Sequence, residues 1–210
     1  MTTCAIILSG SGVYDGSEIH EATLTYYFLD KKNISVSFLA PDCDQTDVID
    51  HYHQQPLQQK RNVLIESSRI ARGQISPLSA ADTNQYDMAI FPGGFGAAKT
   101  LSDFAESGKN LSVNNDVEQF CKAMHSNKKP LGFLCITPVI AAKLFPGVIT
   151  TLGIDQSNLD TLSAIGAQSR QALEDDVVID QTYNIYSTPA YMIETSISKI
   201  ALGIEKLVDT

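Results

Sequence analysis

Four short apolar runs with helix-like stretches between them constrain the fold of this chain more than any other feature of its sequence. The runs are "CAIILSG" (4–10), "ISVSFLAP" (34–41), "YDMAIFPGG" (86–94) and "KPLGFLCI" (129–136). Each is too short and too continuous for a surface helix, although "ISVSFLAP" alternates over its first residues. Strands buried on both faces read this way, because a parallel sheet is covered by helices on each side. Alternation of such strands with helices predicts an α/β chain with a mostly parallel sheet and helices on both of its faces.

Apolar spacing predicts helices over 18–32, 61–72, 97–106, 114–126, 137–144, 158–165 and 191–208. In the last of these Ile197, Ile200, Ala201, Ile204 and Leu207 make one buried stripe. The segment 177–189, "VVIDQTYNIYSTP", predicts two strands around a polar turn at Gln181 to Asn184, as a small antiparallel addition near the sheet edge. The polar stretch at 42–60 reads as an excursion from the sheet rather than a linker. With 210 residues and no visible boundary or repeat, one domain over 1–210 is expected, with an excursion at about 42–73.

Composition narrows the function classes. With 43% hydrophobic and 19% charged residues and no low-complexity tract, disorder and fibrous architectures are excluded as the main structure. A net charge of −9 argues against a nucleic-acid partner, because phosphate binding needs clustered Lys and Arg. The basic residues Arg61, Arg69 and Arg72 fall on the wetter side of an amphipathic helix. No segment approaches a membrane span, so no membrane partner is expected. The opening "MTTCAIILSGSG" lacks a basic leader and reads as a first strand, and Cys4, Cys43, Cys121 and Cys135 show no CxxC or Cys/His ligand spacing. Reduced thiols in the cytoplasm, without metal or cofactor, are the expectation.

Ligands of parallel α/β sheets bind beyond the carboxyl ends of the strands, where loops converge and helix N-termini point outward. That rule selects "SGSGVYDGSEIHE", "PGGFGAAK" and "CITP". Cys135 falls where a strand gives way to a helix whose first turn carries Pro138, and a thiol facing a helix N-terminus has a stabilised thiolate. The glycines of 92–96 suit an anion or oxyanion nest, or else an ordinary strand-to-helix turn. The first loop offers Asp15, Glu18, His20 and Glu21 as proton carriers. Glu18 and Glu21 share a helical face, where dipole complementarity is the simpler alternative. Among the other histidines, His125 lies at the wrong strand end and His51 and His53 sit in the excursion, so none forms a convincing Cys-His-acid triad. Cys4 and Cys121 read as packed small hydrophobes, and Cys43 as accessible.

Five motifs, "ILSGSGVYDGSEIHEA", "RNVLIESSRIARG", "FPGGFGAAKTLSDFA", "KPLGFLCITP" and "TPAYM", together resemble the ElbB family. Its members are described as isoprenoid-biosynthesis proteins with an amidotransferase-like domain, within the PfpI-like, class I glutamine amidotransferase-like superfamily. The resemblance implies a flavodoxin-like three-layer sandwich, usually a homodimer. It implies Cys135 as nucleophile, with Gly93, Gly94 and the Ile136 amide framing an oxyanion hole. A first-loop glutamate would hold the thiol: counting back from the second strand gives Glu21, counting forward from the first gives Glu18, and Glu21 is preferred. The late His and Glu of amidotransferases are absent from "STPAYMIE", and Ile136 stands where protease-like relatives carry histidine. The activity implied is a glutathione-independent glyoxalase, acting on a small carbonyl substrate such as glyoxal to give a 2-hydroxy acid. The alternative is a redox-sensing or regulatory protein using the same cysteine.

Overall fold

The computed structural model describes residues 1–210. Strand β1 (Thr3–Ile7) lies near the middle of a seven-stranded sheet and shows why the sequence lacks alternation there. Cys4 and Ile6 pack into one hydrophobic layer while Ala5 and Ile7 pack into the other, all fully buried. Removing a side chain such as Ile6 from water is worth about 1.5–3 kcal/mol. Two layers of helices are therefore needed, and the sequence supplies them.

In chain order the elements are α1 (Ile19–Lys31), β2 (Ser35–Ala40), β3 (Ile49–Asp50), β4 (Gln55–Pro56), α2 (Val63–Ile70), β5 (Ile75–Pro77) and β6 (Met88–Phe91). They continue with α3 (Phe104–Ser107), α4 (Asn115–Ser126), β7 (Leu131–Leu134), α5 (Pro138–Leu144), β8 (Ile149–Thr150) and α6 (Gln156–Ile165). The last are β9 (Gln168–Ser169), β10 (Val178–Asp180), β11 (Ile185–Thr188) and α7 (Ile197–Asp209). The main sheet runs β10-β11-β7-β6-β1-β2-β5 and is parallel except for β10 against β11. Helices α1, α2 and α7 cover one face and α4, α5 and α6 the other, giving the flavodoxin-like three-layer sandwich.

Two expectations are corrected, and one strand is added. Residues 177–189 form two strands, but only β10 is antiparallel, since β11 pairs in parallel with β7 and so belongs to the main sheet. The helix expected over 97–106 is a wide π turn at Ala97–Leu101, a break at Ser102, and the one-turn α3. Edge strand β5 escaped notice because it is three residues long and ends in Pro77, which an edge tolerates.

The excursion after β2 makes the β3–β4 hairpin and is laced to the loop after β1. The buried Asp15 carboxylate accepts the Ile49 amide proton at 2.7 Å, and Gln45 donates to the Asp15 carbonyl at 3.2 Å. His51 Nε2 accepts the Tyr14 amide proton at 3.2 Å, which gives that histidine a structural role. Lys99, after β6, donates to Asp47 at 2.8 Å and to the Tyr14 carbonyl at 3.0 Å, so three segments are tied together at the carboxyl end of the sheet.

Candidate active site

At the end of β7 the chain turns abruptly at Cys135, whose φ of +57° is left-handed. A non-glycine residue there costs on the order of 1–3 kcal/mol, and such strain concentrates at functional sites. The turn is held on both sides: the Cys135 amide donates to Thr188 O of β11 at 3.1 Å, and the Thr137 hydroxyl lies 3.0 Å from Phe91 O and 2.8 Å from Leu134 O. Pro138 then opens α5, as a first-turn proline should.

Glu18 and Glu21 take different places. The Glu18 side chain caps α1, its Oε2 accepting the Glu21 amide proton at 2.7 Å, while its own amide donates to Gly93 O at 2.9 Å. Glu21 is fully buried behind the thiol: its Oε2 accepts the Gly93 amide proton at 2.7 Å, its Oε1 accepts that of Tyr191 at 3.3 Å, and its carboxyl stands close beside Cys135. Gly93 has to be glycine, because a Cβ there would stand 2.9 Å from both Cys135 Sγ and Glu21 Oε2. Gly94 combines a φ of +97° with close approach to the backbone of the first loop.

The Gly93 amide is thus committed to Glu21 and is removed from the expected oxyanion set. The amides of Gly94 and Ile136 remain, both near enough to Cys135 to pull its thiol downward against burial. A negative oxygen formed next to that sulfur would meet this pair.

Burial, and then the charge of nearby Glu18, push Glu21 up to about 8 from an ordinary 4.5, against the pull of the Gly93 and Tyr191 amides. Burial, and then the Glu21 charge, hold the Cys135 thiol well above its ordinary range. The Gly94 and Ile136 amides act the other way and do not prevail. The helix start that would stabilise a thiolate is thus opposed by burial and by a carboxyl beside the sulfur, both of which favour the thiol. Cys4 and Cys121 are buried with their thiols pushed up by desolvation, as inert packing residues are, and Cys43 is half-buried.

Cys135, 8% exposed, borders a cavity of about 330 Å³. Glu18 lines it and Glu21 does not. Val13, Phe95, Phe104 and Met192 supply much of the wall, and Tyr191 adds its ring. The Tyr191 hydroxyl lies 2.9 Å from His20 Nδ1, and His20 in turn is 3.9 Å from Glu18 Oε1. Tyr191 carried no assignment from the sequence, although it stands within "TPAYM"; its importance comes from the turn after β11, where Ala190 has a φ of +44°. His125 packs with Phe145 and Tyr183 away from this cavity, and His53 pairs with Asp50 in the excursion.

A parallel sandwich with cysteine on a strained turn after a central strand and a glutamate beneath it has the architecture of a class I glutamine amidotransferase-like domain. No family model matches the chain. It is 44% identical over 214 residues to the rat (Rattus norvegicus) ES1 protein homolog, mitochondrial, covering 97% of this chain and 80% of that one. Identity and both coverages are the same for the human (Homo sapiens) glutamine amidotransferase-like class 1 domain-containing protein 3, mitochondrial. The crystal structure of an isoprenoid biosynthesis protein with amidotransferase-like domain from Ehrlichia chaffeensis matches with a TM-score of 0.92 and 31% identity, over 99% of this chain and 97% of that one. The chain belongs to this family of glutamine amidotransferase-like class 1 domain proteins. The two mammalian relatives are mitochondrial by name, which leaves the expected cytoplasmic location without support, and no helix here is long and apolar enough to cross a membrane.

Proposed function

We propose that this protein is a glutathione-independent glyoxalase-like enzyme that converts 2-oxoaldehydes to 2-hydroxy acids through Cys135. The observation that carries the reading is the strained Cys135 turn, with a buried carboxyl beside the sulfur and a cavity in front. Glutaminase chemistry lacks its histidine, since no His lines the cavity.

The chemistry balances without a cofactor. In the pair that has lost one proton, as it does near pH 8, the sulfur adds to the aldehyde carbon as the thiol proton passes to the Glu21 carboxylate, and the new alkoxide is stabilised by the Gly94 and Ile136 amides before protonation to a hemithioacetal. Removal of the proton from that carbon and its return to the neighbouring carbonyl carbon give a 2-hydroxy thioester. Water then cleaves the thioester, releasing the acid and restoring the thiol. The carbon-to-carbon proton transfer falls to Glu18 rather than Glu21, because Glu18 faces the cavity and Glu21 is sealed behind the sulfur.

The test is turnover of glyoxal and methylglyoxal by the wild type, Cys135→Ala, Glu18→Gln and Glu21→Gln. Loss in Cys135→Ala, with a lowered kcat in Glu18→Gln, is expected. Turnover that survives Cys135→Ala sinks the proposal. The sensing alternative is less favoured, because redox-sensor cysteines are exposed and of low pKa, whereas this thiol is buried and shifted upward.

A further inference from the structure

The cavity in front of Cys135 is much larger and more apolar than a two-carbon dicarbonyl requires. Ala98, Phe104, Ala105, Ile136 and Met192 line it, with Phe95 at 49% exposure among the wall residues. An apolar cavity of about 150 Å³ already accommodates a benzene ring. At about 330 Å³ this one has room for the reacting carbonyls and a ring or short alkyl chain besides.

Charge points the same way. No Lys, Arg or His lines the cavity, and its one formal charge is the Glu18 carboxyl. The cation beside the wall residue Phe95, Lys99, lies 5.4 Å from the centre of that ring and is already engaged by Asp47 and the Tyr14 carbonyl. A substrate bearing carboxylate or phosphate would find no counter-charge and would meet Glu18. The polar groups of the wall, the Gly94 and Ile136 amides, Cys135 and Glu18, suffice for two adjacent carbonyl oxygens and no more, since the Tyr191 hydroxyl is engaged by His20.

We infer that the preferred substrates are uncharged 2-oxoaldehydes carrying an apolar substituent, aromatic or short-chain alkyl, rather than glyoxal itself. This rests on the carbonyl-acting reading above and names its substrate class. The aldehyde carbon sits at the Cys135 sulfur, and the substituent on the ketone carbon lies along Ile136, Met192 and Phe104. Each methylene that enters the cavity should raise kcat/KM about fourfold until the space is filled.

The experiment compares kcat/KM of the full chain for glyoxal, methylglyoxal, longer alkylglyoxals and phenylglyoxal, in wild type and in Ala105→Leu, which narrows the cavity. In parallel, the rate of Cys135 capture by N-methyl-, N-hexyl- and N-benzylchloroacetamide is followed by peptide mapping, a readout that needs no turnover. Rising kcat/KM with substituent size, and a lower phenylglyoxal to methylglyoxal ratio in Ala105→Leu, support the inference. Faster capture by the hexyl and benzyl reagents without any turnover upholds the apolar site and removes the glyoxalase reading. Turnover that is flat or falls with substituent size, with capture equally indifferent, overturns the inference while leaving the glyoxalase reading in place.

Discussion

Glu21 Oε2 accepts the amide proton of Gly93 at 2.7 Å, joining α1 to the loop after β6 across 72 residues of chain. The same carboxyl stands beside Cys135 and its charge pushes the thiol upward, so one buried acid holds the backbone of the glycine loop and bears on the sulfur together.

Reactivity of the thiol follows from that sharing. With Glu21 raised to about 8 and Cys135 higher still, the pair loses its first proton near pH 8 whichever atom gives it up. Iodoacetamide labelling of Cys135 should therefore accelerate between pH 7 and 9 with a midpoint near 8. Glu21→Gln should abolish that midpoint; an unchanged profile would mean that the two groups titrate independently.

Stability should carry the same signature with a definite sign. A carboxyl at 4.5 when unfolded and about 8 when folded makes the folded state bind more protons between those values, so stability falls as pH rises through that window. One such group contributes a slope of at most about 1.4 kcal/mol per pH unit. Urea melts of wild type and Glu21→Gln from pH 5 to 9 should show a flatter dependence in the variant.

Backbone strain at Cys135 separates two substitutions that both remove the sulfur. Cys135→Ala keeps a Cβ at φ +57°, whereas Cys135→Gly relieves it, so the glycine variant should be the more stable by about 1 kcal/mol in thermal or chemical melts. The reverse order would show that the turn is unstrained.

Crowding at Gly93 predicts a damaging methyl group. Gly93→Ala places a Cβ against both Cys135 and Glu21, and overpacking of this kind costs about 1–3 kcal/mol. Lower Tm and a changed Cys135 labelling rate should appear together, because the displaced atoms are the reacting ones.

Asp15 anchors the excursion by accepting the Ile49 amide proton, a charge-assisted bond worth about 1.5–3 kcal/mol. Asp15→Ala should expose residues 44–60 to limited proteolysis well before the sheet unfolds. Equal resistance to cleavage would assign the hold on the excursion to Gln45, His51 and Lys99 instead.

The central strands were legible because doubly covered strands must be continuously apolar, and "CAIILSG" and "KPLGFLCI" satisfy that rule without reference to anything distant in the chain. Their carboxyl ends located Cys135, and helix periodicity placed Glu18 and Glu21 in the first turn of α1. The direction of β11 was not legible, because pairing partners are chosen by topology and a four-residue strand reads the same either way.

Sequence by itself therefore determined the layered α/β architecture, the family, and the three loops that meet at the site, all of which rest on local pattern and residue order. Tertiary structure decided which glutamate is sealed beside the sulfur, that the Gly93 amide is taken up by that glutamate, and that Tyr191 joins the cavity from the far end of the chain. It also set the thiol's surroundings. Proximity to a helix start is a local property that favours thiolate, but burial and a facing carboxyl arise only when distant segments pack, and in a low-dielectric interior they dominate.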